Sequence, residues 1–183
     1  TEEAQLKVAI DVAEQIAAVL AGDSARTAVN IPSMRPEMIE PVRPFLPLAE
    51  KLGTLIGQLL EGPIRRIDVL YSGHLAAKNT EPLTTAILKG LLGGAVGEGV
   101  NYVNAPLVAK ERGIEVRESK TSEETEFTDL ITIGSQSGET GRTVSGTLFG
   151  GHPRIVRIDD HSFNMPPEGY ILIAPHQDTP GVV

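Results

Sequence analysis

Two stretches of this sequence place side chains where they could do chemistry. The first is VNYVNAPLVAKERGIEVRESK, in which Lys110, Arg112, Arg117 and Lys120 crowd a short helix and the strand after it. Lys110 and Arg112 fall at the helix C-terminus, where positive charge complements the macrodipole, so a structural role suffices for them. Arg117 and Lys120 are three apart on a strand and therefore face opposite sides of its sheet. Either face offers a cation to a small carboxylate or phosphate. The second stretch, ILIAPHQDTPGVV, runs a strand into a Gly-bearing turn whose backbone N–H groups point toward a helix start, a corner that suits carboxylates. His176 and Asp178 flank it. Asp178 can accept from an ammonium group, so the corner meets both needs of a free amino acid; capping the next helix is the equal alternative for Asp178.

Other clusters are weaker. The DDH of residues 159–161 and the HQD of 176–178 each set imidazole beside carboxylate. Neither has a third ligand at metal-binding spacing, so turn and cap roles are expected and no metal. His74 and His152 sit beside glycines and read as solvated turn residues. Catalytic motifs are missing. There is no G-x-G-x-x-G after a strand, no G-x-S-x-G, no H-E-x-x-H and no Walker sequence, and GLLGGAVGEG follows a helix and reads as a loop. The absence of Cys removes thiolate nucleophiles, disulfides and Cys-ligated metals. A net charge of −8 argues against a long nucleic-acid or anionic-membrane surface, while leaving room for a local anion site. No apolar run has the length of a membrane span. No catalytic, cofactor-binding or metal-binding residue is therefore expected in this chain.

The elements that would carry these residues can be read from periodicity. TEEAQLKVAIDVAEQIAAVLAG places Leu6, Ile10, Ala13, Ile16, Ala17 and Leu20 on one helical stripe, with Thr1 as cap and Gly22 as stop. A Pro-rich crossover follows, and residues 23–44 form the best domain boundary. The helix ahead of it reads as one parted from its packing partner. The chain also opens on Thr, not Met, and closes on the first turn of an element, so both ends read as cut surfaces of something longer.

A second helix is predicted from Phe45 to Leu60, with Gly53 and Gly57 leaving a groove for another backbone. IRRIDVLY alternates as a half-buried strand. Asn79, Thr80, Glu81 and Pro82 start a helix capped by Thr80 that runs to Gly93 and Gly94, and Asn104 caps a shorter one that stops at Gly113. Four period-two stretches come next (IEVRESK, FTDLITI, RTVSGTLFG and RIVRID), joined by short turns, which predicts antiparallel meanders. HSFNMPPEG reads as a connector, and a buried strand is expected over residues 170–176. The fold class is α+β, an antiparallel sheet with helices packed on one face.

VLYSGHLAAKNTEPLTTAILKGLL, VNYVNAPLVAKERGIEVRESK and VSGTLFGGHPRIVRID, in that order, resemble the C-terminal half of the long form of D-3-phosphoglycerate dehydrogenase, across nearly the whole chain. The resemblance implies three parts. Residues 1–30 correspond to the last helix and exit strand of the catalytic region. Residues 31–158 correspond to an intervening, allosteric substrate-binding domain. Residues 159–183 correspond to a linker and the first strand and turn of a ferredoxin-like ACT domain.

It implies an NAD-dependent oxidoreductase of L-serine biosynthesis as the parent. The dinucleotide-binding and catalytic residues of that parent lie outside this chain, so the piece itself should be inactive and hold no cofactor. Lys120 matches an allosteric anion position for a phosphorylated hydroxy or keto acid, while a second basic position falls on Thr128. His176, Asp178, Gly181 and Val182 correspond to the L-serine effector turn. Self-association into a dimer or tetramer is implied, with no nucleic-acid or membrane partner, in the cytoplasm or, in a plant, the plastid stroma. Competing readings are the related β region of an iron–sulfur L-serine dehydratase, disfavoured by the leading helix, and a stand-alone anion or amino-acid sensor.

Overall fold

Glycines decide how the two central helices meet. In the computed structural model, which describes residues 2–20, 39–96, 99–123, 126–137 and 140–174, helix α1 spans Glu2–Leu20, α2 Leu46–Leu59, α3 Glu81–Val96 and α4 Ala105–Glu111. Helix α2 presents Leu48, Leu52 and Ile56 as a fully buried stripe, and α3 answers with Leu83, Ile87 and Leu91. A Cβ at Gly53 would collide with the Ile87 carbonyl, and one at Gly90 with the Glu50 carbonyl. The two backbones are therefore in direct contact. The expected groove at Gly53 and Gly57 is filled by α3, with Leu91 O only 3.0 Å from where a Gly57 Cβ would stand.

Among the described residues six strands form one sheet: β1 (Arg66–Gly73), β2 (Glu115–Thr121), β3 (Asp129–Ser137), β4 (Thr140–Phe149), β5 (His152–Ile158) and β6 (His161–Met165), in the order β2-β1-β3-β4-β5-β6. The α+β architecture is as expected. In β1, Ile67, Val69 and Tyr71 are buried beneath the helices while Arg66, Asp68 and Leu70 between them are half-exposed, the alternation of a strand covered on one face. Leu48 and Leu52 of α2 reach over β4, where only the bare Cα of Gly146 leaves them room.

The structure differs from the sequence-based expectation at several places. Strand β2 does not begin an antiparallel meander; it pairs in parallel with β1 at the sheet edge, which makes the sheet mixed. The chain from β1 to β2 passes through α3 and α4, and a helical crossover returns the chain in the same direction. HSFNM is strand β6, paired with β5 across an irregularity between Ile155 and Arg157, not a connector. Residues 170–174 lie in no strand, and Tyr170 and Leu172 are exposed; none of the six strands takes them as a neighbour, so their backbone gains no ladder bonds. Helix α3 continues past Gly93 and Gly94 to Val96.

Helix α1 forms as the periodicity requires. Leu6, Ile10 and Ile16 of its apolar stripe are all exposed, at 64%, 49% and 56%.

Candidate functional site

Helices α3 and α4 and the edge strand β2 enclose the most chemically furnished region. In β2, Val116, Glu118 and Lys120 alternate with Glu115, Arg117 and Ser119. Glu118 reaches the helices: its Oε1 accepts from Thr84 Oγ1 at 2.5 Å and its Oε2 from Thr80 Oγ1 at 3.1 Å. Because the carboxylate can only accept, Thr84 is the donor there, which leaves its oxygen to accept from the Tyr71 hydroxyl at 2.8 Å. Tyr71 is fully buried. Burial pushes its phenol well above the ordinary range, against the hydrogen bond to Thr84 and helped by the Glu118 charge. The result is a directed chain, Tyr71 to Thr84 to Glu118, from core to surface.

The two expected helix starts are where the sequence places them, with other partners for their side chains. Thr80 gives its hydroxyl proton to Glu118, and Asn79 Oδ1 accepts from the Glu81 N–H at 3.1 Å. Asn104 occupies the N-cap of α4 without a side-chain cap bond. Its amide instead ties the preceding loop, accepting from Asn101 N–H at 2.7 Å and donating to Gly99 O at 2.8 Å. Gly113 closes α4 with φ near +70°, a conformation suited to glycine.

The four basic residues of this stretch are dispersed by the fold. Arg117 projects to the face opposite Lys120, as their spacing requires, and pairs with Glu115 at 2.8 Å. Arg112 forms the C-cap of α4, and Lys110 lies in its last turn, facing a cleft shared with β2. Lys120 is exposed, and its Nζ donates to the Lys78 carbonyl at 2.7 Å.

Lys120 stands opposite Tyr71 in the β1–β2 register, and Gly73 stands opposite Asp129 in β1–β3. The position just before Asp129 is Thr128, so Lys120 and Thr128 sit at the same end of the sheet, on either side of β1. Gly73, at φ near +78°, lets the Thr128 carbonyl pack against its Cα. The same end holds the 3₁₀ turn His74–Ala77 and Lys78. Asp129 fixes that turn by accepting from the Leu75 N–H at 2.8 Å, and His74 stays exposed, 3.9 Å from the same carboxylate. Lys78 and Glu118 were missed in the sequence because both enter through contacts between distant segments.

Asp159 serves the turn into β6. Its Oδ1 accepts from Thr143 N–H at 2.9 Å, its Oδ2 meets Arg142 at 3.2 Å, and its backbone takes a positive φ. Among the described residues no group of acids and histidines could hold a metal. His176, Asp178, Gly181 and Val182 lie outside the described residues.

On this geometry the comparison with known proteins is decisive. A family model described as the D-3-phosphoglycerate dehydrogenase intervening domain matches residues 41–159, which span α2 to the end of β5. The chain belongs to that family. Relatives of the intervening domain and its flanks include D-3-phosphoglycerate dehydrogenases of Synechocystis sp., 46% identical over the whole chain and covering 33% of that protein, and of Archaeoglobus fulgidus, 42% identical and covering 35%. The chloroplastic D-3-phosphoglycerate dehydrogenase 2 of Arabidopsis thaliana is 30% identical over the whole chain and 32% of its own length. The chain thus spans about a third of the length of the relatives it matches.

Proposed function

We infer that this chain is the regulatory and oligomerisation region of an NAD-dependent D-3-phosphoglycerate dehydrogenase, acting in L-serine biosynthesis in the cytoplasm or a plastid stroma. The observation that carries the reading is similarity over the full chain, α1 through the C-terminal residues, to enzymes of that name. Those names favour it over the serine dehydratase reading. In this account the intervening domain binds a phosphorylated hydroxy or keto acid at the Lys120 end of the sheet and couples an ACT domain to the catalytic region.

The physical support for the site is its cation set. The Lys120 ammonium has two N–H donors left after its bond to Lys78 O. With Thr128 where a second cation would stand, Lys120 carries most of the attraction, and such an exposed site binds weakly and loses affinity with salt. The turn of His176, Asp178, Gly181 and Val182 is the proposed L-serine site of the parent enzyme, completed there by a residue from a later helix of a second subunit, so the 183-residue chain alone binds L-serine poorly.

The reading requires that the chain by itself perform no redox chemistry. Incubated with D-3-phosphoglycerate and NAD, the purified chain should form no NADH above the enzyme-free rate. Turnover that copurifies with the chain would defeat the assignment.

A further inference from the structure

The cleft between α3, α4 and β2 has a volume of about 380 Å³. Its floor is apolar, made by Leu88, Ala109, Ile114 and Val116, and charged groups of both signs stand around it: Glu81 and Glu118 on one side, Lys110 on α4. Among the described residues none of the three has an ion-pair partner. Lys120, two residues along β2 from Glu118 and on the same side, does not neutralise it, because its ammonium is turned to the Lys78 carbonyl.

Solvent could satisfy these charges separately, but Glu118 is unlike an ordinary surface acid. Its two oxygens are held by the hydroxyls of Thr80 and Thr84, which are 1% and 7% exposed, and Thr84 is held in turn by buried Tyr71. These donors are neutral. They hold the carboxylate, which is exposed to solvent, in place without neutralising its charge. Preorganisation of this kind favours a cationic donor, since the held side chain has less entropy to lose on binding. Two carboxylates on one side also repel phosphate, so the cleft is chemically distinct from the Lys120 end of the sheet.

We propose that this cleft binds a free aliphatic amino acid. The ammonium lies against Glu118 and Glu81, the carboxylate against Lys110, and the hydrocarbon side chain on Leu88, Ala109, Ile114 and Val116. The site does not depend on the anion site at Lys120 or on the turn of residues 176–182.

Calorimetric titration of the 183-residue chain tests it with three probes of one shape: L-leucine, 3-methylbutylamine and 4-methylpentanoate. L-leucine should bind most tightly, the amine more weakly, and the acid without detectable heat. Glu118→Gln should weaken L-leucine about tenfold, the usual range for losing one charge-assisted hydrogen bond. Lys110→Met should weaken L-leucine but leave the amine unchanged, which a merely structural role for Lys110 would not produce. Urea midpoints show whether each variant is folded, and Glu81→Gln, at the exposed start of α3, stands in for Glu118→Gln should that variant unfold. The proposal is overturned if L-leucine gives no heat at millimolar concentration. It is equally overturned if the acid binds as well as L-leucine, or if folded carboxylate variants bind it unchanged.

Discussion

Replacing Gly53 by Ala should destabilise this fold although alanine is the better helix former. In an exposed helix interior the change gains about 1 kcal/mol, because glycine loses more backbone freedom on folding. At residue 53 the new methyl would overlap the backbone carbonyl of Ile87. The obstacle is main chain, so no rotamer change can clear it, and α2 and α3 must separate by roughly 1 Å to restore ordinary contact in a close-packed interior. That movement loosens Leu48, Leu52 and Ile56 against Leu83, Ile87 and Leu91, all of them buried.

Overpacking of this kind typically costs about 1–3 kcal/mol, and a rigid obstacle belongs at or beyond the upper end. Subtracting the propensity gain leaves a net loss of about 2 kcal/mol, or roughly 5–10 °C in Tm for a domain of this size. Gly94 supplies the matched control. It lies in α3, is exposed, and a methyl there would meet nothing within 4 Å, so Gly94→Ala should raise stability by about 0.5–1 kcal/mol. Urea denaturation of the three proteins, at constant m-value, measures both effects. A Gly53→Ala variant as stable as Gly94→Ala would refute the claim that these helices meet backbone to backbone.

Two further outcomes concern the polar clamps. Thr84→Val should cost about 2–3 kcal/mol, since it strands the buried Tyr71 hydroxyl and removes a donor from Glu118, whereas Tyr71→Phe leaves only an unfilled acceptor and should cost about 1 kcal/mol; urea midpoints that reverse this order would contradict the donor direction. Glu50 accepts from Lys89 Nζ at 2.6 Å and from Tyr102 Oη at 2.5 Å. Burial opposes its ionisation, but those bonds and the Lys89 charge prevail and hold the carboxyl below its ordinary value. A carboxyl lowered in the folded state stabilises fully above its unfolded pKa and loses that contribution as pH falls through the folded value. Wild type should therefore lose more stability than Glu50→Gln on going from pH 6 to pH 3. The difference should be about 1 kcal/mol or less, because the pair is partly solvated; identical pH profiles would remove Glu50 from the account.

The parts of the fold visible in the sequence were those with local causes. The stripes of α1, α2 and α3 follow from a period of 3.6, and β1 from strict alternation at Ile67, Val69 and Tyr71. The groove at Gly53 and Gly57 was visible because two small residues four apart on an apolar face have few other uses. Its reciprocal, Gly90 against the Glu50 carbonyl, was not, because a single glycine inside a helical pattern has no local signature. The place of β2 depends on its partner rather than on its own residues: EVRESKT alternates equally well in a parallel or an antiparallel pair, and the helical crossover decides. Strand β6 was hidden because HSFNM carries little apolar periodicity and gains its strand state from β5.

For the site, the opposite orientation of Arg117 and Lys120 followed from strand geometry alone. The hydroxyls that hold Glu118 come from residues 34 and 38 positions away, a separation that no local pattern encodes. The named caps Thr80 and Asn104 were readable as positions, but their side chains turn elsewhere: Thr80 to Glu118, 38 residues on, and Asn104 to the loop just before it through Asn101 N–H and Gly99 O.

The central claim, that this is a ligand-responsive region of a phosphoglycerate dehydrogenase, is tested most directly by titrating phosphohydroxypyruvate into the chain and into Lys120→Ala at low ionic strength. The account predicts saturable heat with the wild-type chain that weakens with added salt and disappears in Lys120→Ala. No heat with either protein, or equal heat with both, would contradict it.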